Sequence, residues 1–349
     1  MIKKHYNTVI IGAGPAGLAC AITLMQNGVR DVLVAEKYKF PRNKCCAGYI
    51  TQKTVKEYAR FGLDTEECGY SYIKDFKLFF KHKLRQRIKN RFLLTSREIN
   101  RVSLDYAFFR LAVDNGVQIE ENMPVTGHFP EKNTVILGKN VSVEYDNIVF
   151  ADGTFGFGSA YQKTKRRNLA MQLVFKSDIR DGIDIHFGVT KRGYCWVSSQ
   201  NGVTNVGMTD EYRGSKDYKK QFKSFISDLG ISQNTSSLYS AFTPIGVRKP
   251  VIGSNMYFAG DAMGACDPFT LSGVRNALIS GEKAALSIAR SDTRIIKRYA
   301  RKLKLKFFFM RLLMKTFYVP CVRWLMFNVG CRFLGGMVTF VFNRFLNKK

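Results

Sequence analysis

Three glycines near the amino terminus have the spacing of a phosphate-binding turn. Gly12, Gly14 and Gly17 lie between an apolar, strand-like run and a helical run. The first glycine allows a tight turn, the second admits a pyrophosphate close to the backbone, and the third lets helix and strand pack closely. Free N–H groups at the helix start, near Ala16, would meet the phosphate, and Glu36 at the end of the next apolar run could hold ribose hydroxyls. This unit predicts a dinucleotide site; a glycine-rich turn without a ligand is the simpler alternative.

Two later segments bear on which dinucleotide would bind. Residues 148–153 and 256–264 each form a short apolar run that ends in a Gly/Asp turn, with Asp152 in the first and Asp261 in the second. Both turns should return to the same edge of the sheet. A nicotinamide nucleotide alone would not need them, whereas the ribityl chain and ring of FAD would. We therefore predict FAD, with Asp261 on a ribityl hydroxyl; solvated Asp-Gly turns are the alternative.

A helix of small residues follows the second segment. It begins near Gly273 and Val274, after Pro268, and continues through Ala277 and Gly281. N–H groups at its start could stabilise negative charge on a reduced flavin. An ordinary packing helix is the alternative.

The elements that position these residues predict an α/β fold. Its parts are a Rossmann-type FAD-binding domain, an inserted antiparallel β-sheet substrate domain and a C-terminal helical tail. The expected boundaries are 1–70, 93–158 and 250–298 for the first, 71–92 and 159–249 for the second, and 299–349 for the tail. Strands of the inserted sheet are expected at 170–175, 186–189, 194–197 and 203–208. No second strand–glycine–helix unit is found, so electrons should come from transiently bound NAD(P)H or a ferredoxin-like protein.

With these motifs the chain resembles the geranylgeranyl reductase family of FAD-dependent oxidoreductases, within the p-hydroxybenzoate hydroxylase-type flavoprotein fold. The resemblance spans nearly the whole chain. It rests on Pro41-Arg42-Asn43-Lys44-Cys45-Cys46-Ala47-Gly48, Ile99-Asn100-Arg101-Val102-Ser103-Leu104-Asp105, Gly260-Asp261-Ala262-Met263-Gly264, and the half-kept signature Tyr194-Cys195-Trp196-Val197-Ser198-Ser199. Leu271 and Ser272 replace the glycine and glutamate usual before Gly273, and the tail and altered signature are closest to the CbrA-like branch.

The resemblance implies a set of site residues. Those expected to bind FAD are Gly12, Gly14, Ala16, Gly17, Glu36, Arg42, Ala47, Gly48, Arg101, Val125, Asp152, Gly260, Asp261, Pro268, Gly273 and Val274. Those expected to act on the substrate are Cys46, Tyr194 and Trp196. Cys46 could donate a proton opposite the hydride; small core cysteines are the alternative. Tyr194 and Trp196, two apart on a strand, would share one face and line the cavity; ordinary core aromatics are the alternative.

The chain is strongly basic, with 55 Lys and Arg against 27 Asp and Glu, a formal charge of +28. Six basic residues alternate along residues 81–91 (Lys81, Lys83, Arg85, Arg87, Lys89 and Arg91), and on a strand all six would project from one face. Such a stripe is either a solvated sheet edge or a site for an anionic head group.

The last part of the chain carries the densest charge. From Arg294 to Lys349 there are fourteen Lys and Arg and no Asp or Glu, interleaved with aromatic and aliphatic residues. This pattern is typical of a helix lying in an anionic membrane interface. The most apolar window, residues 324–343, contains Arg332, which opposes spanning. A helical cap over the substrate domain is the alternative.

These features together predict an FAD-dependent oxidoreductase that reduces carbon–carbon double bonds of a prenyl or other lipid at a membrane surface. No export signal and no zinc-type cysteine spacing are found, so we expect a cytoplasmic, peripheral membrane protein without a metal. Two alternatives stay open: an FAD monooxygenase or halogenase of a small aromatic, and an RNA-associated flavoprotein. No nucleic acid is expected, because the tail aromatics cluster instead of forming isolated stacking platforms.

Overall fold

The computed structural model describes residues 2–73, 75–88, 93–96, 99, 101–163, 166–214, 217–232 and 238–331. Predicted features at Lys89, Arg91, Asn100 and residues 332–349 lie outside the described residues. The helices are α1 (Pro15–Gln26), α2 (Gln52–Arg60), α3 (Val102–Asp114), α4 (Tyr218–Asp228), α5 (Val274–Ala289), α6 (Arg294–Phe317) and α7 (Pro320–Leu325).

A mainly parallel sheet forms the centre of the larger domain. Its strands, in chain order, are β1 (His5–Ile11), β2 (Val32–Ala35), β8 (Gln118–Glu120), β9 (Val125–Phe129), β10 (Thr134–Leu137), β11 (Val141–Phe150), β17 (Val251–Ile252) and β18 (Met256–Phe258). The spatial order is β17-β18-β11-β1-β2-β8, and β9 and β10 extend it beside β11. β1 pairs in parallel with β2 and β11, and β11 with β18. The turns that follow these four strands therefore meet at one edge, as predicted.

Helices α1 and α5 pack very closely above this edge. A Cβ atom built on Gly281 of α5 would lie 2.0 Å from the carbonyl oxygen of Ala16 in α1. Ser280 of α5 accepts a hydrogen bond from the backbone N–H of Gly260 at 2.8 Å. The small residues of α5 thus bring the second predicted flavin turn against the start of α1.

The second large sheet is antiparallel apart from one parallel pair, β5 with β13. In spatial order its strands are β16 (Tyr239–Pro244), β12 (Arg167–Lys176), β15 (Val203–Glu211), β14 (Tyr194–Gln200), β13 (Gly182–Phe187), β5 (Phe76–Phe80) and β6 (Lys83–Ile88). Helix α4 covers one face, where Phe222 and Phe225 pack in a buried apolar cluster. A small third sheet joins β3 (Tyr49–Thr51), β7 (Leu93–Ser96) and β4 (Tyr70–Tyr72).

One predicted strand of this sheet was wrong in its position. The expected strand at residues 186–189 is the end of β13, which begins four residues earlier at Gly182 and stops at Phe187. Gly188 has a φ of +87°, which turns the chain out of the strand. The other three predicted strands lie within β12, β14 and β15.

The predicted basic stripe was also wrong as a single face. Lys81 and His82 form the turn between β5 and β6, with φ values of +47° and +63°. The pairing register of the two strands then shifts between Leu78 and Phe79, so the alternation along β6 does not continue from the turn. Arg87 lies 3.9 Å from Asp75, which answers part of the charge.

The predicted helical tail consists, over its described part, of α6, α7 and a π-helical turn at Met326–Gly330. Ile296, Ala300, Leu303 and Phe307 of α6 are buried in the main core. Within the described residues, no helix is both long enough and apolar enough to span a bilayer.

Candidate active site

The turn after β1 has the backbone geometry that a bound pyrophosphate needs. Gly12 has a φ of +101°, and a Cβ there would lie 2.8 Å from the carbonyl oxygen of Ala151. A Cβ on Gly17 would lie 1.9 Å from the carbonyl oxygen of Gly12. Gly14 caps α1 without any side-chain hydrogen bond. The first N–H groups of α1 are therefore available to an anion.

Glu36 and Arg42 form the next part of the site. Glu36 is buried, and its carboxylate accepts hydrogen bonds from the N–H groups of Ala13 (2.8 Å) and Tyr38 (3.1 Å). The Nε atom of Arg42 lies 3.8 Å from this carboxylate and, among the described residues, has no hydrogen-bond partner. A carboxylate held rigidly by backbone donors keeps lone pairs for ribose hydroxyls, and the nearby guanidinium suits a phosphate.

Asp152 follows β11 at the same edge of the sheet. Its Oδ2 atom accepts a hydrogen bond from the N–H of Gly158 at 2.8 Å. Its Oδ1 atom is buried and has no hydrogen-bond partner within the described part of the chain. Burial raises the pKa of this carboxyl to about 6. An unpaired buried oxygen beside the glycine turn is a polar group that a ligand donor could satisfy.

The turn after β18 is supported from below by Arg248. Its guanidinium donates to the carbonyl oxygens of Asp261 (2.6 Å) and Gln162 (2.7 Å). Gly260 has a φ of +59°, and a Cβ there would lie 3.0 Å from the Cβ of Ala16. The Asp261 side chain lies in the lining of the main cavity.

The loop that leads into α5 is held in a defined turn. The carboxylate of Asp267 accepts hydrogen bonds from the N–H groups of Phe269 and Thr270, both at 3.0 Å. Leu271, where the family usually has glycine, has a φ of +56°. Gly273 caps α5 without a side-chain hydrogen bond, and Gly273 and Val274 both line the cavity. Pro268 lies in this loop but not in the cavity wall.

Arg101 and Asp105 form a buried ion pair at the start of α3. The guanidinium reaches the Asp105 carboxylate at 2.6 and 2.8 Å through Nη2 and at 3.1 Å through Nε. Arg101 also lines the cavity. Its charge is thus compensated by protein, and it lies at the site without depending on a ligand for a partner.

The remaining residues expected to bind FAD differ in their placement. Ala47 lies in the cavity wall, whereas Gly48 lies beside it with a φ of +78°. Val125 begins β9 and pairs with Leu137 in the strand pair beside β11, outside the cavity wall. The structure therefore brings Ala47 to the site and leaves Val125 away from this cavity.

The site opens into one cavity of about 310 Å³. On one side the cavity touches the turns that follow β1, β11 and β18, together with the start of α5. On the other it follows the open face of the antiparallel sheet, where five apolar side chains are Phe76, Leu78, Ile183, Ile185 and Phe187. Gln172 and Thr243 give that face a polar region. A dinucleotide site and an apolar chamber thus share one continuous space.

All three residues expected to act on the substrate line this cavity: Cys46, Tyr194 and Trp196. The hydroxyl of Tyr194 donates to the carbonyl oxygen of Thr270 at 2.8 Å, and burial raises the pKa of Tyr194 well above its usual range. The indole N–H of Trp196 donates to Asn205 Oδ1 at 3.0 Å. Since both polar groups already have protein partners, the two rings act as walls, and Cys46 is the member with proton chemistry to offer.

Several lining residues were missed from the sequence. Tyr49 follows the Cys-Ala-Gly run directly, Cys266 lies inside the second flavin motif, and Gln172 lies on the cavity face of β12. Burial raises the pKa of the Cys266 thiol. The alternation of β12 could have revealed Gln172, because Leu169, Met171 and Leu173 belong to the opposite, α4-covered face.

These features fit FAD. The glycine turn excludes Cβ atoms, two helix starts lack side-chain caps, and Arg42 Nε and Asp152 Oδ1 are buried without partners in the described chain. Among the described residues, no group of three His, Cys, Asp or Glu side chains is close enough to hold a metal ion.

Comparisons with known proteins agree with this assignment. The family model described as pyridine nucleotide-disulphide oxidoreductase matches residues 6–166. Digeranylgeranylglycerophospholipid reductase 1 of Methanococcoides burtonii is 26% identical over 86% of this chain and 80% of its own length.

Two solved structures share the fold. A geranylgeranyl bacteriochlorophyll reductase-like protein of Thermoplasma acidophilum has a TM-score of 0.75 and 20% identity, covering 90% of this chain and 88% of its own. The flavin-dependent brominase Bmp2 has a TM-score of 0.72 and 21% identity, covering 96% and 92%. The predicted α/β fold is confirmed.

The chain is an FAD-dependent oxidoreductase of the geranylgeranyl reductase type. The predicted resemblance, enzyme class and cofactor are thereby confirmed.

Proposed function

We propose that this enzyme reduces carbon–carbon double bonds of a prenyl or other lipid substrate at the surface of a membrane. The observation that carries this proposal is the continuity of the FAD site with an apolar wall made by Phe76, Leu78, Ile183, Ile185 and Phe187. Such a wall suits a hydrocarbon chain better than a small polar aromatic. The relative from Methanococcoides burtonii is named as a reductase of a prenylated phospholipid, which supports the same substrate class.

Reduced FAD, when bound, supplies the hydride. The glycine turn, Glu36, Arg42 and the turn at Gly260–Asp261 hold the cofactor at the carboxyl edge of the sheet. Tyr194 and Trp196 confine the substrate laterally and exclude water. The Cys46 thiol supplies the proton that the second carbon of the double bond requires. Electrons enter from NAD(P)H bound transiently or from a ferredoxin-like protein.

The membrane location rests on the tail. Fourteen cationic and no acidic residues lie between Arg294 and Lys349. Attraction to anionic lipid contributes about 1 kcal/mol for each Lys or Arg near the surface. A lipid substrate would then be presented where it is stored, and extraction into water would be unnecessary.

The decisive experiment is anaerobic reoxidation of the dithionite-reduced, FAD-loaded enzyme by a panel of prenyl lipids. The product should gain two hydrogens by mass spectrometry, as flavin absorbance returns. A Cys46→Ala variant should keep its FAD and lose most of its turnover, whereas Cys68→Ala, at a cysteine outside the cavity wall, should keep both. If only small aromatics were converted, with oxygen or halide incorporated, the monooxygenase or halogenase alternative would replace this proposal.

A further inference from the structure

The end of the tail packs directly behind the apolar end of the active-site cavity. The ring of Phe317, the last residue of α6, lies 5.4 Å from that of Phe187 and 5.6 Å from that of Phe269. Phe187 and Phe269 both line the cavity. Phe317 therefore forms the outer layer of the wall at this end.

The π-helical turn closes the same region from a second side. Phe327 stacks on Phe80 with ring centroids 5.0 Å apart, and it lies 5.3 Å from Phe187. The hydroxyl of Tyr318 donates to the carbonyl oxygen of Gly193 at 3.5 Å, a long hydrogen bond. These ring contacts and one weak hydrogen bond attach residues 312–331, which we call the lid.

The first half of α6 is attached much more firmly than the lid. Ile296, Ala300, Leu303 and Phe307 are buried in the core of the FAD-binding domain. The lid thus extends from a fixed helix and rests on the cavity wall, an arrangement in which the lid can lift while α6 stays in place.

The opposite face of the tail is apolar and exposed. Six large side chains on it are more than half exposed, and we call them the docking face: Phe308 (56%), Phe309 (55%), Leu312 (54%), Leu313 (63%), Trp324 (54%) and Leu325 (54%). Lys304, Lys306 and Lys315 lie among them in the sequence, and no acidic residue follows Asp292. An apolar face in a purely cationic segment fits a bilayer that contains anionic lipid.

Arg323 in α7 gives the closed lid a cost. Its guanidinium lies over the rings of Phe80 (5.9 Å) and Tyr318 (5.7 Å). Its Nε and Nη1 atoms are buried and have no hydrogen-bond partner among the described residues. Desolvation lowers the pKa of this arginine. A lipid phosphate would supply the acceptors that the closed position does not offer.

We propose that the docking face binds an anionic bilayer and that this binding lifts the lid, which opens the apolar end of the cavity to the lipid phase. A ligand shifts an equilibrium only if it prefers one state. The bilayer prefers the open state because Phe317, Phe327 and the N–H groups of Arg323 then become available to acyl chains and phosphates. The inference deepens the proposed function, since it gives a lipid substrate its route to the FAD site.

Three cysteines of the natural chain report on the three parts of this inference. Cys46 lines the cavity, Cys321 is exposed in α7, and Cys68 is half-buried outside the cavity wall. The FAD-loaded protein is treated with N-ethylmaleimide in buffer, with phosphatidylcholine vesicles or with phosphatidylglycerol vesicles. Peptide mass spectrometry then gives the alkylation rate of each thiol.

Only the phosphatidylglycerol vesicles should change the pattern. Cys321 should become protected several-fold, Cys46 should react several-fold faster, and Cys68 should not change. Protection of Cys321 without faster reaction at Cys46 would show docking without opening and would overturn the lid. Absence of protection at Cys321, or protection that grows with protein concentration in buffer alone, would overturn the bilayer as the occupant, the latter in favour of a second copy of the chain.

Variants separate docking from opening. Leu313→Glu should abolish the protection of Cys321 and the acceleration at Cys46 together. Phe317→Ala should make Cys46 react quickly without vesicles while Cys321 is still protected by them; Tyr318→Phe, which removes only the hydrogen bond to Gly193, is the milder version. FAD content verifies folding. No substrate is needed, so a failure of lipid reduction would leave this cysteine pattern intact, and a failure of the lid would leave reduction of detergent-dispersed lipid intact.

Discussion

The hydroxyl of Tyr194 donates a hydrogen bond to the carbonyl oxygen of Thr270 at 2.8 Å, and so joins the substrate sheet to the loop that leads into α5. This bond crosses between the two domains at the cavity wall. The FAD-side loop and the aromatic wall of the substrate chamber are consequently held at a set distance by one buried polar contact.

Removing that contact should destabilise the protein with little change in shape. Tyr194→Phe keeps the ring and leaves the carbonyl of Thr270 without its donor, which should cost about 1–3 kcal/mol of unfolding free energy. Urea titration of the FAD-loaded protein measures it. Tyr38→Phe, at an exposed tyrosine, is the matched control and should cost nothing measurable. Equal stability of the two variants would contradict the role given to this bond.

The close approach of α1 and α5 predicts a second effect. Gly281→Ala would place a methyl group 2.0 Å from the carbonyl oxygen of Ala16, so the helices must separate. We expect overpacking to cost about 1–3 kcal/mol and FAD affinity to fall at least tenfold, because both helix starts belong to the site. Fluorescence titration of released flavin measures the affinity. Gly214→Ala, where a Cβ would meet open space, should bind FAD normally.

The sequence was sufficient for the parallel sheet because each strand there is buried on both faces. Such strands read as continuous apolar runs, and a glycine follows β1 where the chain must turn sharply. It was not sufficient for residues 81–91. Basic alternation there implied an uninterrupted strand, but Lys81 and His82 adopt left-handed turn conformations that their residue types do not announce.

The site divides in the same way. Motif residues such as Gly12 and Asp261 were found because short-range spacing specifies them. Tyr49 and Gln172 were missed because their place in the wall depends on how separate strands pair, which is a tertiary property. The tail was predicted as membrane-binding or as a cap; in the structure its buried and exposed faces allow both.

The buried ion pair of α3 predicts an asymmetric response. Asp105→Ala would leave the Arg101 guanidinium buried without its counter-ion, and we expect a loss of about 3–5 kcal/mol. Urea unfolding of the flavin-free protein isolates this effect from cofactor binding. Asp292→Ala, which removes the exposed pair with Arg294, is the control and should leave the urea midpoint unchanged. Comparable losses in both variants would show that burial does not govern the Arg101 pair.

Asp152 should make the flavin-free protein less stable as pH rises. Burial holds the pKa of its carboxyl at about 6 in the folded chain, above the ordinary value of 3.8. Between those values the folded state binds more protons than the unfolded state, so the unfolding free energy falls as pH increases and the loss is complete above the folded pKa. A shift of roughly two units corresponds to about 3 kcal/mol.

An Asp152→Asn variant cannot ionise and can still accept the hydrogen bond from Gly158. It should therefore match the natural protein near pH 4 and exceed its unfolding free energy by roughly 2–3 kcal/mol above pH 7, as measured by urea titrations across that range. A difference between the two proteins that does not vary with pH would mean that Asp152 is solvated and carries no burial penalty. Repeating the titrations with FAD bound tests the site directly, because a ligand donor to the Oδ1 atom should favour the ionised carboxylate and shrink the pH-dependent difference.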